Sequence, residues 1–87
     1  MAQLWFEDRF SNRRIVANCE TESDIIKNIH SFINQCNKNK PVDKQFKIYY
    51  MRTWEENDEV VFDVGSHTEF FYVSCDSYNK LKGIKNE

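Results

Sequence analysis

Glycine and proline are scarce in this chain, and so are the motifs that depend on them. Two glycines and one proline stand among 87 residues, and there is no G-x-G-x-x-G turn and no Walker lysine motif, so a βαβ nucleotide-binding unit is not expected. The three cysteines, Cys19, Cys36 and Cys75, are odd in number and far apart, with no C-x-x-C and no nearby histidine pair. That argues against a zinc site and for reduced thiols serving as small buried hydrophobes. No apolar run approaches the ~20 residues of a membrane span. The N-terminal "MAQLWFEDRF" lacks the basic region, long apolar run and cleavage site of a signal peptide. The expectation is a cytoplasmic protein with no membrane partner. Neither sign of charge dominates: twelve basic and fourteen acidic residues give a net charge of −2, and no overall positive field would draw the chain onto a phosphate backbone. Nucleic acid is therefore not the expected partner.

Aromatic residues are plentiful, with seven Phe, four Tyr and two Trp, which suits a folded chain rather than a disordered one. The length sets one domain, residues 1–87, burying somewhat over ~60% of its unfolded surface around a thin core. Charges gather locally in Arg9, Arg13 and Arg14, in the acidic run Glu55, Glu56, Asp58 and Glu59, and in Lys80, Lys82 and Lys85. Each group is expected to be solvated surface.

Two short extended segments, about 3 to 9 and 14 to 19, flank Ser11 and Asn12 at hairpin spacing. Thr21 is placed to cap a helix with Asp24 three residues on, and Ile25, Ile26, Ile29, Phe32, Ile33 and Cys36 then fall on one stripe. Lys38 and Lys40 suit the helix end, and Pro41 stops it. His30 lies at the rim of the stripe and is expected to be structural or exposed.

Beyond the proline, alternation over 46 to 54 puts Phe46, Ile48, Tyr50, Arg52 and Trp54 on one face of a strand, with Lys47, Tyr49, Met51 and Thr53 on the other. "EENDE" supplies a turn, "VVFDV" the returning strand, Gly65 a tight turn or bulge, and "TEFFYV" a further strand. A short helix from Asp76 to Lys82 is expected before Gly83, pinned by Tyr78 and Leu81. The order β-β-α-β-β-β implies an α+β fold, a small antiparallel sheet with one amphipathic helix on one face.

Arg52, on an otherwise apolar face, must be paired, stacked or held for an anionic partner, because a buried unpaired charge is costly. Asp63 and Glu69 are its candidate carboxylates, with Tyr50 and Trp54 roofing the pair. If the turn Gly65 to Thr68 lies beside that strand, then Arg52, Trp54, Ser66, His67 and Thr68 converge on one rim. Such a rim suits a small anionic ligand such as a nucleotide, and equally a protein hot spot. His67 and Glu69, two apart, share a side if extended, so an acid/base pair is conceivable. No nucleophile with a base behind it, no metal ligand set and no cofactor motif is visible; the site is expected to bind rather than to catalyse.

Arg52-x-Trp54 followed by Asp63, then Gly65 to Phe71 as "GSHTEFF", resembles a group of small proteins encoded by phages and prophages of Gram-positive bacteria. The resemblance spans the layout of most of the chain and is specific over its last third. It implies a phage accessory protein in the host bacterial cytoplasm, with counter-defence as its role. Three functional expectations follow. The favoured one is a non-enzymatic protein that binds and inhibits a host defence protein or sequesters a small nucleotide signal. The second is a small hydrolase using His67 and Glu69. The third is a structural or regulatory phage protein acting as a homo-oligomer through a sheet edge or its aromatic face.

Overall fold

In the computed structural model, which describes residues 1–83, Thr21 Oγ1 accepts the Asp24 N–H at 3.1 Å while the Asp24 carboxylate accepts the Thr21 N–H at 3.2 Å. This reciprocal cap starts helix α1, Glu22–Asn37, as the sequence predicts. Ile25, Ile29 and Ile33 are fully enclosed, and Ile26 and Phe32 pack at the border of the core. Burial of each such side chain is worth ~1.5–3 kcal/mol. His30 is exposed.

The helix covers one face of a five-stranded antiparallel sheet formed by β1 (Ala2–Glu7), β2 (Arg13–Cys19), β3 (Arg52–Glu56), β4 (Glu59–Asp63) and β5 (Phe70–Ser74). The spatial order is β2-β1-β5-β4-β3, so strands from the two ends of the chain lie side by side at the centre. Alternation sends Ala2, Leu4 and Phe6, Val60 and Phe62, and Phe71 and Val73 to the helix side. Helix α2, Cys75–Leu81, is capped by Ser74 and closes the same side. Tyr78 meets the Phe62 ring edge-on and donates its hydroxyl to Glu22, and Leu81 packs against the core. The α+β architecture is thus the expected one, with α2 completing it. Lys85 lies outside the described residues.

Among the described residues no helix is laid over the other sheet face. Registered pairs lay Ile15, Trp5, Tyr72, Val61 and Trp54 in one row across all five strands. Arg13 lies over the Tyr72 ring at 3.9 Å and bonds Glu7 and Glu59 at 2.9 Å each, roofing the middle of the row. The Glu59 hydrogen bond, then Glu7, raise the Arg13 pKa and hold it charged.

The expected strand over 46 to 54 needs correction. Only its last part, from Arg52, joins the sheet, and Phe46 to Met51 form an extended crossover preceded by a single 3-10 turn, Val42–Lys44. The N–H groups of Tyr49 and Tyr50 both point at the Val64 carbonyl, at 2.9 and 3.4 Å, so the simple alternation breaks there. Phe46, Ile48 and Met51 pack against the helix-side core, whereas Tyr50 is exposed. Gly65 permits this crossing. Its φ is +97°, and a Cβ there would stand 3.0 Å from both Tyr49 Cβ and Tyr50 Cε2.

Candidate functional site

Arg52 and Asp63 face each other across the β3–β4 ladder, and Arg52 Nε donates to Asp63 Oδ2 at 3.0 Å. The aspartate side chain is 2% exposed and the arginine 63%. Asp63 Oδ1 accepts the Gly65 N–H at 2.8 Å, so the buried carboxylate is bonded at both oxygens. The guanidinium lies 5.3 Å from the Tyr50 ring centre and 5.4 Å from that of Trp54. Trp54 in turn meets Phe70 edge-on. The paired and roofed arginine expected from the sequence is present, with Asp63 as its carboxylate. Glu69, the other candidate, is not bonded to it.

Ser66, His67, Thr68 and Glu69 form a turn of their own. Ser66 Oγ accepts the Glu69 N–H at 2.9 Å and donates to the Glu69 carbonyl at 3.0 Å, while Thr68 Oγ1 donates to the Glu69 carboxylate. His67 is exposed and has a φ of +70°. The segment is therefore not extended, and the shared side expected for His67 and Glu69 does not arise; no hydrogen bond or ion pair joins them. Nor does any bond or stacking contact among the described residues join this turn to Arg52 or Trp54. The motif divides into a hairpin-end group, Arg52, Trp54 and Asp63, and a turn group, Ser66 to Glu69.

The turn group borders a hollow of about 390 Å³ lying between the end of α1, the crossover and the β1–β2 turn. Asn37, the last residue of α1, sets the crossover in place: its side-chain amide donates to the Phe46 carbonyl at 2.6 Å and accepts the Phe46 N–H at 2.7 Å. Phe6, Phe46 and Tyr49 supply aromatic lining, and Ser66 a hydroxyl. Arg9, Lys40, Lys44 and Lys47 also line it, and none of the four pairs with a carboxylate among the described residues. The two acids present, Asp8 and Glu69, are turned to local work. Asp8 Oδ1 accepts the Phe10 and Asn12 N–H groups at 2.8 and 3.0 Å, and the hydrogen bonding with Asn12 is foremost in lowering its pKa. Four unpaired cations and aromatic rings around one opening make a place for an anion with a flat apolar part.

Sequence pattern alone does not join this cluster: it makes Arg9 solvated surface, Lys40 a helix-end charge and Lys47 one residue of a strand face, and gives Lys44 no role. The signal was there in "KNKPVDKQFKIYY", four lysines interleaved with Phe46, Tyr49 and Tyr50. It becomes a site only when the crossover is laid beside Arg9.

Cys19 is buried and unpaired, and burial raises its thiol pKa; the same cause comes first for Cys75. Among the described residues no three His, Cys, Asp or Glu side chains are grouped to hold a metal ion, and no helix is long and apolar enough to cross a membrane. Comparison with protein-family models, with curated proteins and with solved structures gives no match.

Proposed function

We propose that the protein is a non-enzymatic binding protein that sequesters a small anionic ligand, a nucleotide by preference, in the hollow beside Ser66 and Glu69. The observation that carries this reading is the set of four cations, Arg9, Lys40, Lys44 and Lys47, without carboxylate partners among the described residues, around an aromatic-lined opening in a chain of net charge −2. Phosphate oxygens satisfy the cations, and a base stacks on Phe46 or Tyr49. A counter-defence role belongs to the same proposal and rests on the resemblance inferred from "GSHTEFF" alone: a host signal would be removed by stoichiometric capture rather than by turnover.

Titration calorimetry with ATP, cyclic AMP, a cyclic dinucleotide and inorganic phosphate tests the proposal. One-to-one binding of at least one nucleotide is expected, lost in a Lys44→Glu, Lys47→Glu double variant and retained in Arg52→Ala. Absence of heat and of thermal stabilisation with every probe would overturn it, as would multiple turnover of the bound nucleotide.

A further inference from the structure

β3 is the last strand of the sheet, and among the described residues nothing pairs with its outer side. The opposite edge, β2, is blunted: its register against β1 slips between Leu4 and Trp5, making Val16 an extra residue, and a bulge of this kind twists an edge away from a new partner. β3 carries no bulge and no proline. It is short, and three of its five residues, Arg52, Glu55 and Glu56, are charged, so charge decides which partner strand the edge accepts.

The hairpin determines which backbone groups of β3 face outward. Asn57 and Asp58, with φ of 52° and 64°, make a two-residue turn, so Glu56 and Glu59 are the first bonded pair. Bonded and non-bonded pairs alternate along an antiparallel ladder. Arg52, Trp54 and Glu56 therefore direct their N–H and C=O groups to β4, and Thr53 and Glu55 direct theirs away from the sheet.

A second copy of β3 can join this edge only in registers that match outward groups with outward groups. With the two-fold axis at Trp54, Thr53 bonds Glu55 of the second copy, Trp54 faces itself, and Arg52 faces Glu56 in both directions. Moving the axis to Glu55 sets two glutamates opposite each other, which is destabilising. Moving it to Thr53 removes every carboxylate from Arg52 and carries Glu55 beyond the strand, to Met51. Only the Trp54 register pairs opposite charges. Arg52 is equipped for it, because Asp63 occupies its Nε alone and the side chain is 63% exposed. Glu56 is equally available, being exposed and without a side-chain partner among the described residues.

We infer that the protein forms a two-fold dimer by antiparallel pairing of β3 strands about Trp54, joining two sheets into one. The inference is independent of the ligand hollow, which lies elsewhere. Five residues of edge pairing bury less than the ~1,200 Å² of a standard complex, so the dimer is a weak one, filled by raising concentration.

Sedimentation velocity on ligand-free protein, from micromolar to millimolar, tests it. The mass is expected to climb from 10.5 kDa toward twice that value. Thr53→Pro removes an outward N–H while sparing the bonds to β4, and should give a folded monomer by circular dichroism. Glu56→Lys, which breaks no side-chain hydrogen bond or ion pair among the described residues, should weaken association on the order of tenfold. In a Trp54→Cys variant, oxidation should cross-link two chains at that position, since non-bonded antiparallel pairs bring Cα atoms within disulfide range. A monomer at every concentration would overturn the inference. So would a dimer unchanged by Glu56→Lys, or one whose cross-links run only through the native cysteines.

Discussion

Arg52 and Asp63 form an ion pair of unequal members, one side chain in solvent and the other sealed beneath it at 3.0 Å. The carboxylate depends on the arginine more than the arginine depends on it. Arg52→Ala should cost about 1–2 kcal/mol, less than a wholly buried pair because one partner is screened by water. Asp63→Ala should cost about 2–3 kcal/mol, because it also strips the buried Gly65 N–H of its acceptor. Urea unfolding of the two variants checks both the sizes and their order.

Gly65→Ala should be at least as damaging, about 2 kcal/mol or more. The backbone conformation at φ +97° is one that side chains avoid, and the added methyl meets Tyr49 and the Tyr50 ring. A matched fall in the urea midpoint, together with a changed tyrosine near-ultraviolet signal, is the expected readout.

Thr21→Ala removes the acceptor for the Asp24 N–H and should cost about 1 kcal/mol. Thr21→Ser should retain most of that stability, since the hydroxyl is the working group. Thermal unfolding of the pair separates capping from packing.

Tyr78 gives the fold a response to alkaline pH. Burial first, and its hydrogen bond to Glu22 second, push its pKa up from 10.0 to about 12. Because the folded value is the higher, the neutral phenol's contribution is complete below about 10 and is lost as pH climbs through about 12. Tyr78→Phe should cost about 0.5–1.5 kcal/mol at neutral pH, and the gap between the two proteins should narrow across that window. Denaturant midpoints measured from neutral to alkaline pH test the narrowing.

These effects differ in how visible they were beforehand. Helix α1 was readable because its apolar spacing and its Thr21–Asp24 cap are both local. The Arg52–Asp63 pair was readable for a related reason: the two residues are equidistant from the turn at Asn57 and Asp58, so counting outward finds them opposite each other. The beginning of β3 was not readable. The two-residue period can be carried from Phe46 through the apolar run Ile48 to Met51 as far as Trp54, and only the Val64 carbonyl, which receives two N–H groups, shows where the segment stops being a strand. The four-cation hollow was hidden because its parts come from the β1–β2 turn, the helix end and the crossover, joined by the Asn37–Phe46 bonds. Such contacts carry no periodic signal.

The central position of β1 beside β5 has a consequence for how the chain reaches its fold. Tyr72 bonds Glu7 across 65 residues, and Phe6 meets Phe71 ring to ring. Closing so wide a loop precedes the reward of those contacts, which slows folding. While the protein is being synthesised, β1, β2 and α1 emerge before the strand that pairs with β1, and the core is completed only after Phe70–Ser74 has left the ribosome. Until then apolar surface stays exposed, the condition under which nascent chains aggregate or meet chaperones, and completion of the fold waits on the last strand.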